Sequence, residues 1–226
     1  MKKFSIIILG IILAALFLLG ACSSLQRAQE PFTVDLSSNS YAVGSTEIQF
    51  DKVALLGSLR KETVEVTYYP ADDAACLEFR ADFVTYNQFW SRQGRDAFVA
   101  AVERYKEDYS GRSLANSSRT KRAYGSVQGF LSWKTLRFSG AASGNPRMEL
   151  GYCFKNKNPY FLVTMHEAEY KDKISNSNSR TSAKVMLYFT RAQAESLATL
   201  FDQNHLQGPG RMGNSSAADT DEYMER

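Results

Sequence analysis

Residues 63–84, "TVEVTYYPADDAACLEFRADFV", decide the fold class because they combine two alternating stretches with a turn between them. In the first stretch Val64 and Val66 alternate with polar residues, a pattern typical of a half-buried strand. The "PADD" segment that follows has the composition of a turn. The alternation then resumes on the other side of the turn, with Leu77, Phe79, Ala81 and Phe83 on one face of the second strand. The sequence therefore predicts two neighbouring strands at this point of the chain.

The next stretch, residues 87–111, changes period and predicts a helix. Its apolar side chains recur every three or four residues, the mark of an amphipathic helix. Gly111 is a suitable stop signal. Because Gly94 lowers helix propensity, we expect the helix to begin at Arg95.

The second half of the chain repeats this outline. The breaks between its alternating segments are short and rich in turn residues, which favours an antiparallel meander. The segment "TRAQAESLATLFDQ", residues 190–203, predicts a final helix that starts with Thr190 and Gln193 as a capping box. The predicted strands outside the first hairpin are 47–53, 127–138, 147–155, 160–170 and 183–189.

Together these elements predict an α+β domain. It consists of an antiparallel β-sheet meander whose apolar face is covered by two amphipathic helices. Each half of the chain ends with a hydrophobic strand that runs into a helix. This order is consistent with a degenerate duplication of a strands-then-helix unit.

The N-terminus has the features of an export signal. Lys2 and Lys3 precede an apolar run over residues 4–19, which is shorter than the roughly 20 residues that a spanning helix needs. Residues 19–22, "LGAC", resemble the lipobox of bacterial lipoproteins. The resemblance implies cleavage before Cys22 and lipid attachment to it. A plain signal peptide or an uncleaved anchor is the alternative.

Composition and tail segments define the expected domain organisation. We expect a signal peptide over 1–21, a lipidated cysteine with a flexible tether over 22–45, a single globular domain over 46–206 and a disordered tail over 207–226. The residue after the cysteine is serine rather than aspartate, which by resemblance favours the outer membrane over the inner one. The expected location is extracytoplasmic, with the membrane as a partner through the lipid.

The charge balance indicates that the partner is not a nucleic acid. The chain has 27 basic and 24 acidic side chains, and removal of the signal peptide would take away two lysines. The two signs are then almost equal, whereas a nucleic-acid binder usually shows a pronounced basic excess.

Two cysteines remain after Cys22. Cys76 and Cys153 both lie on the more polar side of their predicted strands, so they could share one sheet face. A disulfide bond between them is possible in an oxidising compartment. Two separate half-buried thiols are the alternative.

A basic connection links the two halves. Its cations could contact an anionic polymer or lipid headgroups, or the segment could be a solvated loop. The residues concerned are Arg112, Arg119, Lys121 and Arg122.

The sequence offers no recognisable catalytic residues, metal site or cofactor motif. His166 begins "HEAEY", which lacks the second histidine of a zinc-protease motif and reads as a strand, and His205 is isolated. Asp72 and Asp73 fit a hairpin turn, where aspartate is favoured. Aromatic side chains recur along the predicted strands and could stack on sugars if they were exposed, but aromatic residues in strands are usually buried in the core. They are Phe130, Trp133, Tyr152, Tyr160, Phe161 and Tyr188.

Several segments taken together resemble a group of spirochaete lipoproteins of unknown function. They are "GRDAFVAAVERY", "AYGSVQGFLSW", "ELGYCFKNKNPYF" and "LYFTRAQAESLATLFDQ". The strand-then-helix order is also similar, at the level of fold only, to the PUR and Whirly single-strand nucleic-acid binders. Neither resemblance supplies active residues for this chain.

The expected function is that of a non-enzymatic, lipid-anchored protein that binds or scaffolds other components of the cell envelope. One alternative is a receptor for a small ligand or glycan that uses an aromatic sheet face. Another is a hydrolase, which would need a nucleophile or a close carboxylate pair beside His166.

Overall fold

The fold is known from a computed structural model, which describes residues 31–51, 59–81, 83–116, 121–135, 140–170 and 180–207. The predicted signal peptide, Cys22 and residues 208–226 lie outside these ranges. Within them the elements are β1 (Tyr41–Asp51), β2 (Leu59–Tyr69), β3 (Ala74–Ala81), β4 (Val84–Ser91), α1 (Arg92–Ser110), β5 (Lys121–Gln128), β6 (Phe130–Thr135), β7 (Ala142–Gly144), β8 (Arg147–Lys155), β9 (Asn158–Met165), β10 (Glu169–Tyr170), β11 (Arg180–Thr181), β12 (Val185–Phe189), α2 (Arg191–Phe201) and α3 (Gln203–Gln207).

The hairpin predicted from residues 63–84 is confirmed as β2 and β3. Its second strand ends at Ala81, however, so Phe83, which was expected on the apolar face, lies exposed in the turn between β3 and β4. Strands β2 and β3 pair antiparallel, with Val66 opposite Leu77 and Tyr69 opposite Ala74. Val66 and Leu77 are fully buried on the same face of the sheet. The alternation in the sequence therefore reflects one buried and one more polar face, as expected for an antiparallel strand.

The main sheet is antiparallel throughout and has the strand order β5-β8-β9-β12-β1-β2-β3-β4-β6-β7. Gly129 alone separates β5 from β6, and residues 145–146 alone separate β7 from β8. Strand β5, at one end of this order, therefore continues into β6 near the other end. Strand β7, at that other end, continues into β8, which lies next to β5. The Gly129 amide donates to the Pro146 carbonyl across this junction at 3.0 Å. The sheet must curl for its ends to meet there.

The two long helices cover the inner face of the curled sheet. Phe98 of α1 is fully buried at the centre of a group of aromatic rings. Its ring centroid lies 5.2 Å from Phe201 of α2, 5.4 Å from Trp90 of β4 and 5.4 Å from Phe161 of β9. These rings join both helices to strands from both halves of the chain. The α+β architecture is thus a main sheet wrapped around two helices, while β10 and β11 pair as a separate two-stranded sheet.

Both helices start immediately after a strand, at a hydroxyl N-cap. Thr190 forms the predicted capping box with Gln193 at the start of α2, and this prediction is confirmed. Helix α1 begins at Arg92 rather than at the predicted Arg95, because the Ser91 hydroxyl accepts a hydrogen bond from the Gly94 amide at 3.2 Å. An N-cap of this kind compensates for the low helix propensity of glycine.

The fold extends further toward the N-terminus than the expected boundary at residue 46. Strand β1 begins at Tyr41, and Val34 is only 7% exposed in a cluster on the outer face with Phe89 and Phe130. The Phe32 ring packs edge-on against Phe130 at 6.3 Å. The described part of the predicted tether, residues 31–45, is therefore folded, because two apolar side chains in a polar stretch find a hydrophobic surface. No helix within the described ranges is long and apolar enough to cross a bilayer.

Candidate functional site

The structure places part of the predicted basic connection. Arg112 is exposed, in left-handed backbone with φ of 52°, two residues after the end of α1, and Lys121 is exposed at the start of β5. Tyr152 links the two positions, since it lies opposite Lys121 and its hydroxyl oxygen accepts from the Ala115 amide at 3.3 Å. Arg119 lies outside the described residues. Arg122 is described only through its backbone in β5, so the cluster itself stays a prediction.

The strand aromatics belong mainly to the hydrophobic interior. Trp133 is 4% exposed and packs in the main core, while Tyr160 is half-buried beside a second cluster on the outer face. An aromatic platform for sugars needs exposed ring faces, and Trp133 does not provide one. The remaining four aromatics of the set are also buried: Phe130, Tyr152, Phe161 and Tyr188.

The possible disulfide bond does not form in the structure. Cys76 of β3 and Cys153 of β8 are both buried and are not joined to each other. They do face the same side of the sheet, but four strands lie between β3 and β8, and the two residues belong to separate clusters. A disulfide needs Cα atoms within about 7 Å. Burial raises the pKa of the Cys76 thiol, which keeps it protonated and unreactive.

Asp73 has a structural role beyond that of a favoured turn residue. It adopts left-handed backbone with φ of 46°, and its Oδ1 accepts hydrogen bonds from the Tyr68 hydroxyl and from Arg95 Nη2, both at 2.7 Å. Arg95 is fully buried at the start of α1. Its Nη1 also donates to the Asp73 carbonyl at 2.6 Å, and its Nη2 to Gln203 Oε1 at 2.8 Å. This Arg95 cluster (Tyr68, Asp73, Arg95 and Gln203) joins a turn, α1 and α3.

Sequence analysis missed the Arg95 cluster because its members are distant in the chain. Arg95 occupies a helical position with apolar neighbours three and seven residues on, Phe98 and Val102, which is a weak sign of burial. Nothing local indicates that its partners are 22 and 108 residues away. The cluster has the composition of a structural polar network, in which the Arg95 guanidinium and the Asp73 carboxylate are both hydrogen-bonded.

Stability is expected to depend on the charge of Asp73. Burial raises the pKa of its carboxyl, but hydrogen bonds from Tyr68 and Arg95 outweigh that effect and lower the pKa below its ordinary value. A lowered pKa in the folded state stabilises the fold above the unfolded pKa, and this contribution is lost as the pH falls through the folded value. The free-energy difference between wild type and Asp73→Asn should therefore be largest above about pH 5 and shrink below about pH 4. Urea denaturation over that range measures it, and a difference that is constant with pH would contradict the prediction.

A second polar cluster lies on the outer face at the start of β8 and the end of β9. Glu149 is 4% exposed, and its Oε2 lies 3.2 Å from His166 Nε2 while its Oε1 lies 3.6 Å from Arg147 Nη2. The His166 side chain is 32% exposed, and its amide donates to the Arg147 carbonyl at 2.9 Å. Thr164 lies directly opposite Glu149. We call these four residues the Glu149 cluster.

The Glu149 cluster combines groups that can move a proton and bind an anion. Histidine and glutamate are residue types that can accept and donate a proton, and here the two side chains lie side by side. The Arg147 guanidinium, with 56% of its side chain exposed, is available to solvent at the same point. Within the described residues, no group of three or more His, Cys, Asp and Glu side chains is positioned to hold a metal ion. Proton transfer and anion contact are chemistry that the side chains of the Glu149 cluster can supply.

Comparison with known proteins gives one match. A family model described as "Uncharacterised Treponema protein" matches residues 24–208, which include every described residue. No curated protein and no solved structure matches the chain. The match agrees with the resemblance to spirochaete proteins that the sequence showed. Since it covers most of the chain, the protein belongs to this family of uncharacterised Treponema proteins.

Proposed function

We propose that the protein is a lipid-anchored, non-enzymatic component of the cell envelope, held outside the cytoplasm and more specifically at the outer membrane. Its folded domain binds or scaffolds other envelope components. The observation that carries the proposal is the "LGAC" sequence at 19–22 after a short apolar run. Two or more acyl chains at Cys22 would give stable membrane attachment.

The position at which the fold begins supports a membrane-proximal domain. Phe32 packs on Phe130, and the Asn145 side-chain amide donates to the Phe32 carbonyl at 2.7 Å. Only the eight residues 23–30 then separate the lipid site from the folded part. Fully extended, they span about 26–29 Å. The domain would therefore stay close to the bilayer, where envelope components are concentrated.

We also propose that the fold is a duplication of a four-strand-and-helix unit. In the first unit β1–β4 lead into α1. In the second, β5–β6 and β7–β8 each count as one interrupted strand, followed by β9, β12 and α2. The strand-to-helix junctions are alike, with "WSR" at 90–92 and "FTR" at 189–191. This order supports the fold-level similarity to PUR and Whirly proteins, while the balanced charge favours a partner other than nucleic acid.

A hydrolase is the second candidate, and the Glu149 cluster is the observation that favours it. His166 beside a buried carboxylate could accept a proton from a water molecule or a hydroxyl group. The glycan-receptor alternative has no comparable support, since Trp133 lies in the core.

Substitution of Cys22 with alanine is expected to abolish lipid attachment. Radiolabelled palmitate should be incorporated into the wild-type protein and into the Ser23→Ala control, but not into Cys22→Ala, because the thiol is the attachment point. Label retained by Cys22→Ala would overturn the anchor. Crosslinking of the wild-type protein in intact envelopes should recover a specific companion, and a consistent failure to recover one would contradict the scaffolding role.

A further inference from the structure

The turn between β3 and β4 exposes an aromatic side chain in an unfavourable backbone conformation. Phe83 is 73% exposed, the largest fraction among the large apolar side chains of the described residues. Its φ is 70°, in the left-handed region. Ala81 pairs with Val84, so the loop has only two residues, and Phe83 is the second of them.

A two-residue hairpin of this kind ordinarily selects other residues. Asparagine and glycine adopt positive φ at low cost and are the usual choice in such loops. Phenylalanine has a Cβ that opposes this backbone, and here its ring is left in solvent rather than packed. The fold therefore gains little from Phe83, and the side chain is better explained by a contact outside the domain.

Two cations lie beside this turn on the outer face of the sheet. Arg80 of β3 is opposite Thr85 of β4, which is opposite Lys134 of β6. Both basic residues are exposed. Asp82 contributes one negative charge to the loop sequence, so the net charge of the turn is modest. An aromatic tip with flanking basic residues is the combination that favours the boundary between lipid headgroups and acyl chains.

We propose that the Phe83 turn contacts the bilayer, with the Phe83 ring inserted at the headgroup boundary and with Arg80 and Lys134 near lipid phosphates. This inference rests on the proposed lipid anchor, which keeps a bilayer within reach of the domain. The occupant is the membrane to which the chain is attached.

The length of the N-terminal connection is sufficient for this arrangement. Phe32 lies beside Phe130, which pairs with Phe89 of β4. Phe83 precedes Phe89 by six positions, a distance of about 20 Å along a strand. The eight residues 23–30 reach about 26–29 Å. The lipid on Cys22 can thus lie level with the Phe83 turn while Phe32 stays packed on the sheet.

The test uses the full lipidated protein with Phe83→Trp, reconstituted into vesicles of phosphatidylcholine and phosphatidylglycerol with or without brominated acyl chains. The native tryptophans, Trp90 and Trp133, are 0% and 4% exposed, so the wild-type protein supplies the background. Lys157→Trp is the matched control, because Lys157 is exposed and has a φ of 69° in the β8–β9 turn. The β8–β9 turn lies near the first residues of β5, whereas Phe83 lies near the last residues of β6. The two turns are therefore at opposite ends of the continuous β5–β6 strand.

We expect the Phe83→Trp protein to show a blue-shifted emission and loss of fluorescence in brominated vesicles beyond that of wild type. The Lys157→Trp protein should show neither. Equal quenching of the two variants, or quenching of neither, would overturn the Phe83 contact. A blue shift that arises from self-association of the protein, without quenching by the brominated lipid, would also overturn the Phe83 contact. The mass of the N-terminal peptide is measured on the same samples and shows whether the lipid is attached. If the lipid is present but Phe83→Trp is not quenched beyond wild type, only the Phe83 contact is refuted. If the lipid is absent, the proposed anchor is refuted.

Discussion

Replacing Arg95 with alanine is expected to lower the free energy of unfolding by about 3–5 kcal/mol. The guanidinium is fully buried and donates to Asp73 Oδ1, the Asp73 and Trp90 carbonyls and Gln203 Oε1. Alanine would remove all four of these hydrogen bonds and leave only the Tyr68 hydroxyl as a strong donor to Asp73 Oδ1, and it would open a cavity at the start of α1. Each orphaned buried acceptor costs about 1–3 kcal/mol, so the loss exceeds that of an ordinary surface ion pair.

Arg92 is the matched control for this prediction. It lies three residues earlier, in the first turn of α1, 4.0 Å from Asp73 Oδ2, but 62% of its side chain is exposed. Arg92→Ala should cost about 0–1 kcal/mol, as exposed pairs do. Urea denaturation followed by the fluorescence of the buried tryptophans measures both variants. Similar losses for Arg92→Ala and Arg95→Ala would show that burial of the Arg95 cluster is not what stabilises the fold.

Replacing Phe98 with alanine is expected to cost about 3–5 kcal/mol as well. The ring is fully buried and contacts Trp90, Phe161 and Phe201 at centroid distances of 5.2–5.4 Å. Its removal would leave a cavity at the point where both helices meet the inner face of the sheet. The surrounding strands are fixed by their ladders and cannot collapse fully into that space.

Asp96, two residues before Phe98, provides the comparison for the core prediction. It is exposed on α1, and Asp96→Ala should change the free energy of unfolding by about 0.5 kcal/mol or less. The same denaturation experiment applies. A loss below about 1 kcal/mol for Phe98→Ala would mean that the ring is not packed as the structure describes.

Local patterns in the sequence predicted most of the secondary structure. Val66 and Leu77 fall on the buried face that their alternation indicates, and Thr190 with Gln193 forms the capping box. These predictions succeed because period and capping depend on residues within a few positions of each other. Helix α1 starts three residues before the predicted Arg95, because the Ser91 hydroxyl caps it and offsets the low helix propensity of Gly94.

The candidate sites were less accessible to sequence analysis. The Glu149 cluster forms because β8 and β9 pair with Glu149 opposite Thr164, which also brings His166 near. The sequence around Glu149 does not indicate that His166 lies beside it, and the sequence around His166 does not indicate Glu149. The folding of residues 31–45 was missed for a similar reason, because Val34 gains its stabilising contacts only from strands formed much later in the chain.

The sequence by itself determined the strand periodicity, the two helices, the capping box of α2 and the end of α1 at Gly111, all of which follow from neighbouring side chains. Only the tertiary structure decided that Asp73, Arg95 and Gln203 meet. It also decided that the sheet curls until its ends join at Gly129, and that Phe83 is left in solvent. The physical reason is that burial and hydrogen-bond pairing between distant residues depend on the register and curvature of the whole sheet, which no local stretch encodes.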